Sequence, residues 1–113
     1  MKLSNKIIKI VENNDFNMGN VEKQNNSFYV DISQYTPLGE DWYETIWFDG
    51  TNKGFIRAVR DNYNSFDVDE EVEIWIENRG KNGVPNSIRA LVEDAEWKEA
   101  ALEKLADELE ELL

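Results

Sequence analysis

Residues 27–48 read SFYVDISQYTPLGEDWYETIWF. Ser27–Tyr35 and Trp42–Phe48 are rich in aromatic and β-branched side chains, and Pro37 with Gly39 breaks the chain between them. The two runs lie too close together for a parallel crossover, which predicts antiparallel strands. Strand residues alternate faces. One face then carries Phe28, Val30, Ile32, Trp42, Ile46 and Phe48. The other carries Tyr29, Asp31, Ser33, Tyr43, Thr45 and Trp47.

Working outward, Asn25-Asn26 reads as a turn back to a short strand within Asn20–Gln24. Before it, Leu3, Ile7, Ile10 and Val11 follow a helical stripe over residues 3–13. Ser4 or Asn5 starts this helix and Asn13-Asn14-Asp15 ends it. On the other side, Asp49-Gly50 turns the chain and Thr51 is an N-cap for a second helix. Its apolar face is Phe55, Ile56, Val59 and Tyr63, and it fades at Asn64-Ser65. Val72, Ile74 and Ile76 alternate with Glu73, Trp75 and Glu77. That pattern predicts a further strand over Glu71–Glu77, adding its apolar residues to the first face and Glu73 and Trp75 to the second. Asn78–Asn86 reads as a loop. A last helix begins near Asn86 or Ser87, with Ile88, Leu91, Ala95, Leu102, Leu105, Leu109 and Leu112 at three- and four-residue steps. Lys98 interrupts the series.

The expectation is an α+β fold in one domain over residues 1–113. Its order is α-β-β-β-α-β-α, with helices on a mostly antiparallel sheet of three to four strands. The acidic C-terminal helix covers 87–113. At 113 residues there is room for one core. The 41% hydrophobic content, with four Trp, four Tyr and five Phe, supplies it.

Composition narrows the chemistry. No Cys is present, so disulfide and thiolate chemistry are excluded and a reducing compartment is favoured. No His is present either, which excludes a Ser-His triad and disfavours transition metals. No cofactor and no metal are expected. The N-terminal run Ile7–Glu12 is too short and charged for a signal peptide, and no apolar run is long enough to span a membrane. A cytoplasmic location is the expectation.

Charge is uneven. Residues 1–60 hold seven Lys/Arg and eight Asp/Glu, a net of −1; residues 61–113 hold five and sixteen, a net of −11. The C-terminal half should repel phosphate backbones and anionic lipid and attract a basic protein surface. No direct nucleic acid and no membrane partner are expected.

The second sheet face, aromatic at its centre, has two readings. The favoured one lays the last helix across it. The other leaves an open platform for a protein partner, through Tyr43, Trp47 and Trp75. Further candidate partner contacts are Arg79 and Lys81, in the Gly-containing stretch before the last helix, and Glu103, Asp107, Glu108, Glu110 and Glu111 on the helix itself. The helix leucines allow a monomer or a weak homodimer. Other clusters read more simply. Lys53, Arg57 and Arg60 form the solvated side of a helix. Asp67, Asp69, Glu70, Glu71 and Glu73 lack the glycine of a calcium loop and read as a charged strand entry. Asp41, Glu44 and Asp49 beside Trp42 and Trp47 are the alternative, a small enzyme or sugar-binding site.

The stretch Asn78–Arg89, the acidic Leu-rich helix after it and Pro37-Leu38-Gly39-Glu40-Asp41 resemble small acidic proteins carried by conjugative and phage-like mobile elements of Gram-positive anaerobes. The resemblance covers most of the chain. It implies a bacterial cytoplasm but no activity, cofactor or functional residue. Short acidic proteins of that setting include inhibitors of host defences, of the anti-CRISPR, antirestriction and DNA-mimic kinds. The expected function is therefore a non-enzymatic acidic protein-binding module. Its partner would be a protein with a basic surface, such as one that handles nucleic acid.

Overall fold

The computed structural model describes residues 2–83 and 88–113, with side chains for all of these but 78–83. Its elements are α1 (Asn5–Asn13), β1 (Asn17–Met18), β2 (Glu22–Gln24), β3 (Ser27–Tyr35), β4 (Asp41–Phe48), α2 (Asn52–Asn64), α3 (Val68–Gly83) and α4 (Ile88–Glu110). The fold is α+β, with an antiparallel four-stranded sheet and a long C-terminal helix.

Strand β3 is the centre of the sheet. The short strands β1 and β2 share one of its sides, and β4 takes the other along its whole length, from Phe28↔Phe48 to Tyr35↔Asp41. The β3–β4 turn closes through Thr36 N to Glu40 O at 2.9 Å and Gly39 N to Thr36 O at 2.8 Å. Gly39 sits there at φ 84, a conformation that costs a residue without Cβ little.

The helix starts follow local chemistry. The Ser4 hydroxyl accepts from Ile7 N at 3.3 Å and caps α1, and the Thr51 hydroxyl accepts from Gly54 N at 2.9 Å and caps α2. Their apolar stripes bury Ile7 and Val11 in α1, and Phe55, Ile56 and Val59 in α2. These pack on Val30, Ile32, Ile46 and Phe48 of the inner sheet face.

Two expectations are overturned. Residues 71–77 are helical, within α3, so the expected order α-β-β-β-α-β-α becomes one helix, four strands and three further helices. Helix also replaces the loop expected over 78–83, while residues 84–87, with the expected starts at Asn86 and Ser87, lie outside the described residues. The reason lies in Asp67. Its Oδ1 accepts from Asp69 N at 3.0 Å and Glu70 N at 3.2 Å, and Asp69, Glu70 and Glu71 fill a first turn that favours negative charge. The helix buries Val72 and Trp75, three residues apart, and leaves Ile74 41% and Ile76 38% exposed. Val72 and Trp75 form a second, smaller core with Leu91 and Ala95 of α4.

The second correction concerns α4. Its Leu102, Leu105, Ala106 and Leu109 are fully buried in the main core, against the same inner sheet face and helices α1 and α2. The helix does not cross the outer face, and its Leu91, Leu102, Leu105 and Leu109 are buried within the chain.

Candidate functional site

With α1, α2 and the C-terminal part of α4 on the inner face, the outer face is left uncovered by the described residues. Alternation along β3 and β4 places Tyr29 opposite Trp47, Asp31 opposite Thr45, Ser33 opposite Tyr43, and Tyr35 opposite Asp41. The Tyr29 and Trp47 rings lie 4.8 Å apart, centroid to centroid, and tilted by 42°. Such a pair holds both rings in place without hiding them. Tyr35 is 71% exposed, Tyr43 63% and Trp47 49%. Between the Tyr29–Trp47 pair and Tyr43, the Thr45 hydroxyl donates to Asp31 Oδ1 at 2.6 Å. Glu22 of β2 stands opposite Tyr29 on the same face. The face residues assigned by this pairing include Glu22, Asp31 and Asp41 and no Lys or Arg.

Tyr43 and Trp47 therefore stand together, as the platform reading expects. Trp75 does not join them: it is only 7% exposed, inside the α3–α4 core. The side chains of Arg79 and Lys81 lie outside the described residues. The acidic candidates of α4 are held mostly within the chain. Glu110 receives Arg60 through Nε at 2.9 Å and Nη2 at 2.6 Å, and Asp107 also pairs with Arg60. Glu103 accepts from the Tyr63 hydroxyl at 2.6 Å, and Glu108 from Asn14 Nδ2 at 2.6 Å. Glu111 is exposed. The fork to Glu110, with Asp107 beside it, raises the Arg60 pKa and holds Glu110 below the usual carboxylate range. Lys53 and Arg57 are exposed, while Arg60 of the same helical row forms these ion pairs.

Trp42 and Trp47 lie on opposite sides of the sheet, with Trp42 buried against Phe16 and Trp97. They do not wall one sugar cleft. A concavity of about 280 Å3 does hold Trp97 with Glu93 and Asp94. Those carboxylates are neighbours on α4 rather than opposed, and Asp94 Oδ1 accepts from Leu38 N at 3.1 Å. A wider concavity of about 500 Å3 lies between α1 and the β1–β2 segment and shares no residue with the outer-face aromatics.

A polar network missed by sequence reasoning lies on the inner side of β4. The Lys98 ammonium, 2% exposed, meets Glu40 Oε2 at 2.8 Å and Glu71 Oε2 at 3.0 Å. Burial alone would push its pKa down, but the two carboxylate hydrogen bonds outweigh burial and raise it. Nearby, Glu44 accepts from Trp42 Nε1 at 2.9 Å and Asn62 Nδ2 at 3.2 Å. Burial is its largest influence and lifts its pKa above the usual carboxylate value. The signal was the break in the leucine series: a Lys at a core position must find carboxylates. Among the described residues no group of His, Cys, Asp or Glu converges in a way that could hold a metal ion. No helix among them is long and apolar enough to cross a membrane.

These features define an α+β protein with helices on one face of its sheet and exposed aromatics on the other. Comparison with family models, curated proteins and solved structures returns no match.

Proposed function

We propose that the protein is a non-enzymatic binding module that docks a basic protein segment on the outer face of its sheet, at Tyr29, Tyr35, Tyr43 and Trp47. The observation that carries this reading is the bare face itself. A long amphipathic helix is present and goes to the other side, leaving large aromatic side chains in solvent. Tyr and Trp supply contact area at low entropic cost and dominate binding hot spots. The carboxylates among them select cations, which stack on Tyr and Trp. Single-stranded nucleic acid also stacks on aromatics, but it does so along a basic groove. A partner that handles nucleic acid and presents Lys or Arg fits this chemistry, in keeping with an inhibitory role on a mobile element.

The test combines substitution with salt. Tyr43→Ala and Trp47→Ala change exposed side chains, so each should shift stability by no more than about 0.5–1 kcal/mol. Each should weaken partner binding by tenfold or more, on the order of 2 kcal/mol at a hot spot. Capture from a bacterial lysate at low salt, followed by elution as salt rises, reads the electrostatic part. Retention of the same partner by both variants would remove the face from consideration.

A further inference from the structure

Strand β4 offers more than a face. It is an edge strand of eight residues with no strand beyond it among the described residues. The opposite side of β3 is blunted by two strands of two and three residues. Short edges are one way a sheet avoids pairing with other chains, and β4 lacks that protection.

The ladder shows which backbone groups β4 leaves outward. In an antiparallel pair, opposed residues alternate between exchanging hydrogen bonds and turning their N–H and C=O away. The Thr45 carbonyl accepts from Asn62 Nδ2 at 3.3 Å, and the Asp31 carbonyl opposite it accepts from Gly19 N at 2.9 Å. Both carbonyls therefore turn away from the β3–β4 ladder. By alternation, Tyr43, Thr45 and Trp47 present their N–H and C=O at the free edge. These are the residues whose side chains stand on the outer face. Asn62 reaches the Thr45 carbonyl from α2, so an incoming N–H there has to share this oxygen with the amide or displace it.

We infer that β4 is a strand-addition site, at which an extended basic segment of a partner protein pairs antiparallel with Tyr43–Trp47 and lays alternate Arg or Lys side chains over the outer face. The inference rests on the docking face proposed above and adds the backbone register. In an antiparallel hydrogen-bonded pair, opposed side chains share a face. A residue bonded to Tyr43 or Trp47 thus places its own side chain beside that ring and near Asp41 or Asp31. This is recognition by main-chain hydrogen bonds with alternate side chains for specificity. The occupant follows from charge. A second copy would bring another net −12, whereas a cationic strand meets the carboxylates of Asp31 and Asp41 on the outer face.

The probe is a synthetic peptide alternating Arg with Thr, about eight residues long to match β4, titrated into the full chain by calorimetry and Trp fluorescence. A second peptide carries backbone N-methyl groups on its Arg residues, whose N–H groups face β4 in this register. A third carries as many N-methyl groups on its Thr residues, whose N–H groups face away. The first and third should bind, and the second should bind at least tenfold more weakly. Thr45→Pro, which deletes an outward N–H and spares the β3 ladder, should weaken the first peptide to a similar degree. If all three peptides bind alike while Trp47→Ala weakens them all, strand addition is overturned and the docking face survives. If Tyr43→Ala and Trp47→Ala leave the first peptide's affinity unchanged, the docking face fails and the inference with it. Concentration-dependent dimerisation in sedimentation, reversed by the first peptide, would give the edge to a second copy and overturn the choice of a basic segment.

Discussion

A chain shortened to residues 1–99 should not fold. The deleted part carries Leu102, Leu105, Ala106 and Leu109, all fully buried between the inner sheet face, α1 and α2. Truncating a single buried Leu to Ala costs about 2–5 kcal/mol. Losing three of them removes about 6–15 kcal/mol, against a total stability of about 5–15 kcal/mol for a domain. The same deletion strips Arg60 of both carboxylates, Tyr63 of Glu103 and Asn14 of Glu108. Circular dichroism should show no cooperative thermal transition, and near-ultraviolet Trp signals should collapse. Removing only residues 111–113 should be mild, at about 1 kcal/mol or less, because Leu112 and Leu113 are 41% and 57% exposed. A 1–99 chain that still melts cooperatively within a few degrees of the full chain would contradict this account of the core.

The hairpin at the centre of the sheet was open to reading because both of its strands alternate and a Pro-Gly break separates them. Ser4 and Thr51 announced α1 and α2 because a hydroxyl beside an apolar helical stripe has one obvious use. Residues 71–77 misled because Val72, Ile74 and Ile76 alternate perfectly, and period two is satisfied whether or not a strand exists. The better signal stood just upstream. Asp67 precedes Glu70 by three residues, the spacing of a capping box, and Val68, Val72 and Trp75 follow at helical steps. Asp67 does cap α3. The placement of α4 was not legible at all. A leucine stripe states that a helix needs a surface, and both faces of this sheet offered one. The outcome turns on tertiary packing, in which Leu102–Leu109 fill the space between α1 and α2. The aromatic face was therefore visible in the alternation of β3 and β4, but its exposure was not. The acids of α4 looked free for a partner because their pairing partners, Arg60, Tyr63 and Asn14, are at least forty residues away.

Replacing Lys98 should be among the most damaging single substitutions. Its ammonium ties three elements, through Glu40 at the end of the β3–β4 turn, Glu71 of α3 and its own place in α4. Lys98→Met keeps most of the volume, so the loss is mainly of charge. It leaves Glu40 and Glu71 facing each other, near a Glu44 that burial already disfavours as an anion. Breaking a fully buried pair costs about 3–5 kcal/mol; with the two carboxylates 22% and 27% exposed, about 2–3 kcal/mol is expected. Adding Glu40→Gln and Glu71→Gln should recover most of it, since a neutral, packed site is often as stable as a buried ion pair. A triple variant no more stable than Lys98→Met would show that the lysine acts through its stem rather than its charge. The pH dependence has a definite sign. The carboxylates of Glu40 and Glu71 raise the folded-state Lys98 pKa above the ordinary lysine value despite burial, so the native state holds this proton more tightly than the unfolded chain. The stabilisation is full below about pH 10 and is lost as pH rises through the folded value. Denaturant titrations of the protein and of Lys98→Met should therefore differ by a constant gap near neutral pH that narrows as pH rises through the folded lysine value. The same tie holds the β3–β4 turn at the start of β4. In Lys98→Met, protection of amide protons should fall first at Glu40, whose N–H donates to Thr36 Oγ1 at 3.1 Å, next to the edge proposed to receive the partner strand.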